Sequence, residues 1–193
     1  MILNFEVGGG ETYYNRKFAK PTWPGNDASG VTIGIGYDLG QNTVEQYTND
    51  WKSRLEKWPF SLLRSSVGMK GADAKARLPL VATVLIPWTE ALAVFRSSTI
   101  PRFYRMTAEA YPGFQSLPGD VQGALVSLIY NRGPGMDGDR RVEMRQIGEA
   151  VARMDLPAIA VALRAMKRLW EGQGMDGLIA RREAEAKLVD GAV

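Results

Sequence analysis

Carboxylates must carry any acid–base chemistry of this chain, because its 193 residues include no histidine and no cysteine. This composition excludes Ser-His-Asp and Cys-His catalysis, as well as zinc sites built on histidine or cysteine. Glu6 is the first candidate, since it stands in the apolar stretch from Met1 to Val7, where desolvation favours the protonated form that a general acid needs. The competing interpretation is an exposed residue on a short N-terminal helix. Glu11 follows three glycines and is expected to be solvated.

The segment from Val31 to Gly40 reads VTIGIGYDLG, in which apolar residues alternate with small or polar ones. Such alternation is typical of a β-strand. Between Thr32 and Asp38, the small and polar face carries only glycine. In a straight strand these two residues would lie about 20 Å apart, so the chain must fold back near Gly34 to Gly36 if both serve one site. A glycine-rich hairpin, in which Asp38 only accepts hydrogen bonds from turn amides, explains the pattern equally well.

Three stretches of the sequence resemble the phage-lysozyme-like muramidases. The run from Ser29 to Gly40 is similar to the glycine-rich segment of this family, and most closely to that of its pesticin-type branch. Ala124 to Gly133 (ALVSLIYNRG) resembles the family's central helix, which ends in aromatic-Asn-x-Gly. Gly177 to Glu185 (GLIARREAE) resembles its C-terminal Gly-Leu-x-x-Arg-Arg-x-x-Glu. The stretches follow one another in the family's order across nearly the whole chain.

The resemblance implies a catalytic triad of Glu6, Thr32 and Asp38. The family's glutamate lies in a Phe-Glu-x-Gly-Gly context, which the run from Phe5 to Gly9 matches. Thr32 stands at the position of the family's threonine, and Asp38 at that of the pesticin-type aspartate. The better-known phage lysozymes carry their aspartate before the threonine, at a position that Asn15 occupies here. Asp38 is therefore the catalytic aspartate only if the chain follows the pesticin-type pattern.

Other residues compete for these roles or accompany them. Glu11 is the alternative to the glutamate, and Asp27 is the alternative to the aspartate. Tyr37 stands where many phage lysozymes have histidine. We expect Tyr37 to bind substrate together with Asn131 and Arg132, which end the central helix.

The implied activity is that of a lysozyme or phage endolysin, which hydrolyses the β-1,4 bond between N-acetylmuramic acid and N-acetylglucosamine. Such cleavage needs one carboxylic acid to protonate the leaving oxygen and one carboxylate across the sugar. Glu6 fits the acid, Asp38 the base or electrostatic partner, and Thr32 the hydroxyl that holds the water. By analogy the reaction is expected to invert the anomeric carbon. A lytic transglycosylase and a non-catalytic glycan-binding module of the same fold remain as alternatives.

The periodicity predicts an α+β protein, and the resemblance implies that its fold is lysozyme-like. A glycine-rich β-hairpin lobe of about residues 1–42 would pack on a mainly helical lobe of about residues 43–193, as one catalytic domain. Steps of four, four and three residues predict one helix that ends at Pro59, with these residues on its buried face: Tyr47, Trp51, Leu55 and Trp58. A further helix, begun by Pro87, is expected to be interrupted at Pro101. Three other helices are predicted over 121–132, 143–154 and 177–188, and Asp120 is expected to cap the one over 121–132. A stripe of apolar residues over 156–170 predicts one more helix.

The remaining sequence features indicate partners and location. A net charge of +3 without a basic face argues against nucleic-acid binding, and no Gly-Lys-Ser/Thr follows the glycine clusters, which argues against a phosphate-binding loop. No metal or cofactor is expected. We expect a monomer whose partner is bacterial peptidoglycan. The longest apolar stretch, Leu78 to Trp88, is too short to span a bilayer, and the N-terminus lacks the pattern of a signal peptide. Synthesis is therefore expected in the host cytoplasm, with action on the periplasmic cell wall once the membrane is permeabilised.

Overall fold

The computed structural model describes residues 1–8 and 10–192, so that Gly9 of the Phe-Glu-x-Gly-Gly motif lies outside the described residues. Within them, most of the chain is helical and one small antiparallel sheet is present, so the α+β class is confirmed. The chain forms two compact units, one of Glu6–Thr99 and one that combines Met1–Phe5 with the chain from Ile100 onward. The change of sequence texture near residue 42 does not coincide with this division. No helix in the described part is long and apolar enough to cross a membrane.

Short elements make up the first part of the chain. An N-terminal helix, α1, spans Ile2–Val7. The unit Glu6–Thr99 then contains α2 (Glu11–Lys17), β1 (Thr32–Ile33), β2 (Tyr37–Asp38), α3 (Val44–Trp51), α4 (Lys57–Arg64), α5 (Gly71–Val81) and α6 (Trp88–Val94). A 3-10 turn over Leu39–Gln41 follows β2, and a π-helical turn over Phe95–Thr99 follows α6.

The glycine-rich segment is a tight hairpin. Its two strands pair antiparallel, with Thr32 directly opposite Asp38. The turn between them contains Gly34 at φ 57° and Gly36 at φ 65°, a left-handed backbone that glycine adopts without a steric penalty. The predicted reversal of the chain near these glycines is therefore confirmed.

The helix predicted to end at Pro59 is two helices instead. Thr43 caps α3 by accepting a hydrogen bond from the Gln46 amide at 3.1 Å, and the Gln46 side chain accepts one from the Thr43 amide at 2.8 Å. The chain leaves the helix after Trp51 and re-enters one at α4. Pro59 lies in the first turn of α4, where a missing N–H costs nothing, so this proline follows a helix start rather than marking an end. Trp58 is accordingly 63% exposed instead of buried.

In its described residues, the second unit is a bundle of five helices around an apolar core. They are α7 (Ile100–Ala110), α8 (Gly119–Arg132), α9 (Val142–Ala152), α10 (Leu156–Ala165) and α11 (Asp176–Asp190). Helix α8 packs against α7 and α11, and α10 packs against α9 and α11. As predicted, α8 ends at Gly133, which has φ 74°. Asp120 lies inside its first turn and is not the N-cap, and Pro101 lies in the first turn of α7 rather than interrupting it.

Helix α11 turns a charged face inward. Arg182 is 0% exposed, and its Nη2 donates to Glu185 Oε1 at 2.9 Å. The same carboxylate oxygen accepts a hydrogen bond from Ser127 Oγ at 2.6 Å, and Ser127 Oγ also accepts one from Arg181 Nε at 3.1 Å. Burial raises the pKa of Glu185 and lowers the pKa of Arg182 to about 10.

Candidate active site

A cavity of about 210 Å³ lies in the unit Glu6–Thr99. Its described lining contains one carboxylate, two hydroxyls and two glycines of the hairpin turn, among apolar side chains. The lining residues are Glu6, Val7, Phe18, Thr22, Pro24, Thr32, Gly34 and Gly36. Two of the three residues predicted for catalysis, Glu6 and Thr32, therefore line the same cavity.

Glu6 enters this cavity from α1, beside the buried Val7. Its side chain is half-buried, which is intermediate between the two interpretations that the sequence left open. Glu11 is exposed at the first position of α2 and is not among the described residues that line the cavity. The environment of Glu6 is consequently the better suited of the two for a group that must exchange a proton with a bound molecule.

Thr22 adds a second hydroxyl that the sequence analysis did not identify. Its amide donates to the Thr32 carbonyl at 2.9 Å, and the Thr32 amide donates to the Thr22 carbonyl at 2.8 Å. Residues directly opposite in antiparallel pairing project on the same face. Thr22, Thr32 and Asp38 thus occupy one row across the sheet. The sequence around Thr22 does not predict that it pairs with Thr32, because Pro21 and Pro24 lie close to it and proline is depleted in strands.

Asp38 holds the hairpin together. Its Oδ1 accepts hydrogen bonds from the Gly30 amide at 2.9 Å and the Gly40 amide at 2.8 Å, and its carbonyl accepts one from Asn42 Nδ2 at 2.6 Å. Burial raises the pKa of Asp38, while the bonds from backbone amides and the charge of Lys70 oppose the rise. Asp38 is not among the described residues of the cavity. Asp38 therefore accepts hydrogen bonds from turn amides, as one of the two interpretations of the sequence expected, and it lies directly opposite Thr32 in the hairpin.

Two glycines allow this arrangement. A Cβ on Gly30 would lie 2.3 Å from the Gly40 nitrogen and 2.7 Å from Asp38 Oδ1. A Cβ on Gly40 would lie 2.5 Å from the Met69 carbonyl oxygen. The distances to the Gly40 nitrogen and to the Met69 oxygen are far inside van der Waals contact, and both are to backbone atoms that cannot move away easily. The close approach of the two glycines brings both amides to the same carboxylate oxygen.

Asp27 and Tyr37 have other environments. Asp27 is exposed, and it is not among the described cavity residues. Tyr37 is only 3% exposed, its hydroxyl donates to Asp50 Oδ2 at 2.8 Å, and its ring packs edge-on against Trp51. The apolar face of the alternating segment places this tyrosine in the core. The substrate contact predicted for Tyr37 therefore has no support in its surroundings.

Asn131 and Arg132 lie at the end of α8, in the other unit. Both line a separate cavity there, and Asn131 Oδ1 also accepts a hydrogen bond from Arg182 Nη2 at 3.4 Å. The predicted site residues are thus divided, with Glu6, Thr32 and Asp38 in one unit and this pair in the other.

The chemistry available in the smaller cavity is proton transfer and hydrogen bonding. Glu6 can donate or accept a proton, and the hydroxyls of Thr22 and Thr32 can hold a water molecule. No group of three or more acidic side chains in the described chain is arranged to hold a metal ion. Comparison with known protein families gives no match, and no curated protein matches the sequence. A functional assignment therefore depends on the sequence motifs and on this geometry.

Proposed function

We propose that the protein is a lysozyme-type peptidoglycan hydrolase with a lysozyme-like α+β fold. Its reaction is hydrolysis of the β-1,4 bond between N-acetylmuramic acid and N-acetylglucosamine. The observation that carries the proposal is the cavity that joins Glu6 with Thr32 beside the glycine turn. The motif order along the chain supports the same assignment, since three separate stretches resemble segments of the phage-lysozyme-like muramidases.

In the proposed mechanism Glu6 is the general acid. Its proton passes to the glycosidic oxygen as the bond from that oxygen to the anomeric carbon breaks. A water molecule held by Thr32, with Thr22 beside it, forms the new bond to the anomeric carbon. The proton that this water loses passes to the carboxylate of Asp38, directly or through the Thr32 hydroxyl. The charge of Asp38 also stabilises the oxocarbenium-like centre, because opposite charges attract strongly in a partly desolvated site.

The biological setting that we propose is that of a phage endolysin. The chain would be made in the host cytoplasm and would reach the periplasmic cell wall after another agent permeabilises the membrane. It would act on the glycan strand as a monomer.

Digestion of purified peptidoglycan in ¹⁸O-labelled water, followed by mass spectrometry, tests the proposed reaction. We expect soluble muropeptides whose new reducing end carries one ¹⁸O atom. Anhydro-muramyl products without the label would identify a lytic transglycosylase instead. Binding to the wall with no soluble product would identify a glycan-binding module.

Exchange of Asp38 for asparagine separates its charge from its structural role. The asparagine Oδ1 can still accept the amide bonds of Gly30 and Gly40, whereas the negative charge is lost. We expect wall hydrolysis to slow by about 10²-fold or more, as for loss of a general base. The measurement is the rate of turbidity loss of permeabilised bacteria. Unchanged activity would contradict the role of Asp38, and Asp27→Asn would then test the alternative aspartate.

The pH dependence of stability supplies the control for this variant. Because folding raises the pKa of Asp38 above its ordinary value of 3.8, the ionised carboxylate opposes folding at neutral pH. The neutral asparagine removes this opposition, so the melting temperature of Asp38→Asn at pH 7 should equal or exceed that of the wild type. Any gain should disappear as the pH falls below the ordinary pKa, where both states of the wild type bind the proton. A large loss of stability at pH 7 would mean that the hairpin depends on the charge itself.

A further inference from the structure

A second cavity, of about 440 Å³, lies within the unit that begins at Ile100. Its described lining combines three arginines and one aspartate with an amide, an indole and an aliphatic side chain. The lining residues are Asn131, Arg132, Asp137, Arg140, Arg141, Trp170 and Leu178. A volume of this size is typical of sites for small organic ligands.

The guanidinium groups of Arg132 and Arg141 donate hydrogen bonds to backbone carbonyls rather than to carboxylates. Arg132 Nη2 donates to the Arg140 carbonyl at 2.5 Å, and Arg141 Nη2 donates to the Arg132 carbonyl at 2.6 Å. These acceptors are uncharged. Among the described residues, no carboxylate lies within the 4.0 Å ion-pair distance of any of the three guanidinium groups. Their positive charge is therefore available to a ligand.

Arg132 is the most constrained of the three. Its guanidinium lies 5.1 Å from the ring centre of Trp170, and its Nε is buried without a hydrogen-bond partner. Burial is the main cause that lowers the pKa of Arg132 to about 10; repulsion from Arg141 and Arg140 adds to it, and the charge of Glu143 opposes it. An anion in the cavity would relieve this repulsion.

We propose that this cavity binds a short peptide that carries more carboxylates than amines. Planar guanidinium groups bind carboxylates through paired hydrogen bonds. Asp137 offers the complementary charge for one ammonium group, and Leu178 offers an apolar surface for an aliphatic side chain. The natural source of such a ligand, the peptide stem of peptidoglycan, rests on the proposed function. The binding chemistry itself rests only on the cavity.

Isothermal titration calorimetry of the full-length protein with a soluble tripeptide tests this proposal. The probe is N-acetyl-Ala–γ-D-Glu–Lys, which has two free carboxylates and one amine, and the matched probe has both carboxylates amidated. We expect the first to bind, with an affinity that falls as salt is added, and the second to bind at least 10-fold more weakly. Equal affinity for the two peptides would overturn the proposal. Inorganic phosphate that binds as tightly as the tripeptide would also overturn it, in favour of a general oxyanion site.

Arg140 provides the cleanest variant, because its side chain is exposed and donates no hydrogen bond within the described structure. We expect Arg140→Gln to bind the tripeptide at least 10-fold more weakly, with an unchanged melting temperature. The matched control is Arg153→Gln, which removes an exposed arginine of the same unit outside the cavity and should bind as the wild type does. If tripeptide binding were weakened equally in both variants, the effect would come from net charge alone, and the proposed site would be wrong.

The role of Asp137 has its own test. Asp137→Asn should weaken binding of the tripeptide but leave unchanged the binding of the same peptide with its amine acetylated. A uniform effect on both peptides would contradict the proposed contact with the ammonium group.

Binding requires no turnover, so Glu6→Gln should bind the tripeptide normally. Tripeptide binding by a protein that cannot hydrolyse the wall would refute only the proposed function, and hydrolysis without tripeptide binding would refute only this inference.

Discussion

Glu6→Gln should lower the rate of wall hydrolysis by about 10²- to 10⁴-fold, because glutamine has the shape of glutamate but cannot supply the proton that the leaving oxygen needs. Glu6 is half-buried in the cavity that also contains Thr32, and glutamine keeps the size of the side chain, so the change is directed at the reacting bond. The rate of turbidity loss of outer-membrane-permeabilised bacteria measures the effect. Circular dichroism and the melting temperature should match the wild type.

Glu11→Gln is the matched control for this experiment. Glu11 is exposed at the start of α2, outside the described cavity lining, and its loss should leave the rate of hydrolysis unchanged. If Glu11→Gln were inactive and Glu6→Gln active, the general acid would be Glu11. If both variants kept full activity, neither glutamate would be the acid and the proposed mechanism would fail.

Glu185→Leu should reduce the free energy of unfolding by about 3–5 kcal/mol, the cost of removing one partner from a buried ion pair. Glu185 and Arg182 are both 0% exposed, and the carboxylate also accepts a hydrogen bond from Ser127. Desolvation is the largest cause of both the raised pKa of Glu185 and the lowered pKa of Arg182. Neither charge is therefore favourable in this interior without the other. Urea denaturation at pH 7 measures the loss.

A surface variant in the same helix provides the comparison. Glu183 forms ion pairs with Arg164 and Lys167, and its side chain keeps 32% of its exposure. Exposed pairs contribute little, so Glu183→Gln should change the free energy of unfolding by less than about 1 kcal/mol. Equal losses in Glu185→Leu and Glu183→Gln would mean that the buried network is no more important than the surface pairs.

The hairpin shows what local sequence can specify. The alternation from Val31 to Gly40 contains both the strand signal and the two glycines at which the chain reverses, so the pairing of Thr32 with Asp38 follows from neighbouring residues alone. The end of α8 at Gly133 follows in the same way, because a left-handed residue after a helix favours glycine. In both cases the information lies within a few residues.

Other features depend on parts of the chain that are distant in sequence. Thr22 joins the candidate site through backbone pairing with Thr32, and no side-chain pattern records that pairing. The inward face of α11 carries Arg181, Arg182 and Glu185, which satisfy one another and Ser127 of α8. Charged residues normally indicate a solvated face. The burial of the charged face of α11 follows only from its packing against α8, which lies far away in the sequence.

The contact between Gly30 and Gly40 has a consequence for how the hairpin evolves. Any side chain at either position would meet backbone atoms at 2.5 Å or less, so variants there would be eliminated by misfolding before their activity mattered. Related sequences should keep both glycines, together with an acceptor at position 38, even in lineages without the proposed activity. Conservation of the two glycines among homologues would therefore be a signature of the turn, whereas conservation of Glu6, Thr32 and the negative charge at Asp38 would report selection for the proposed reaction.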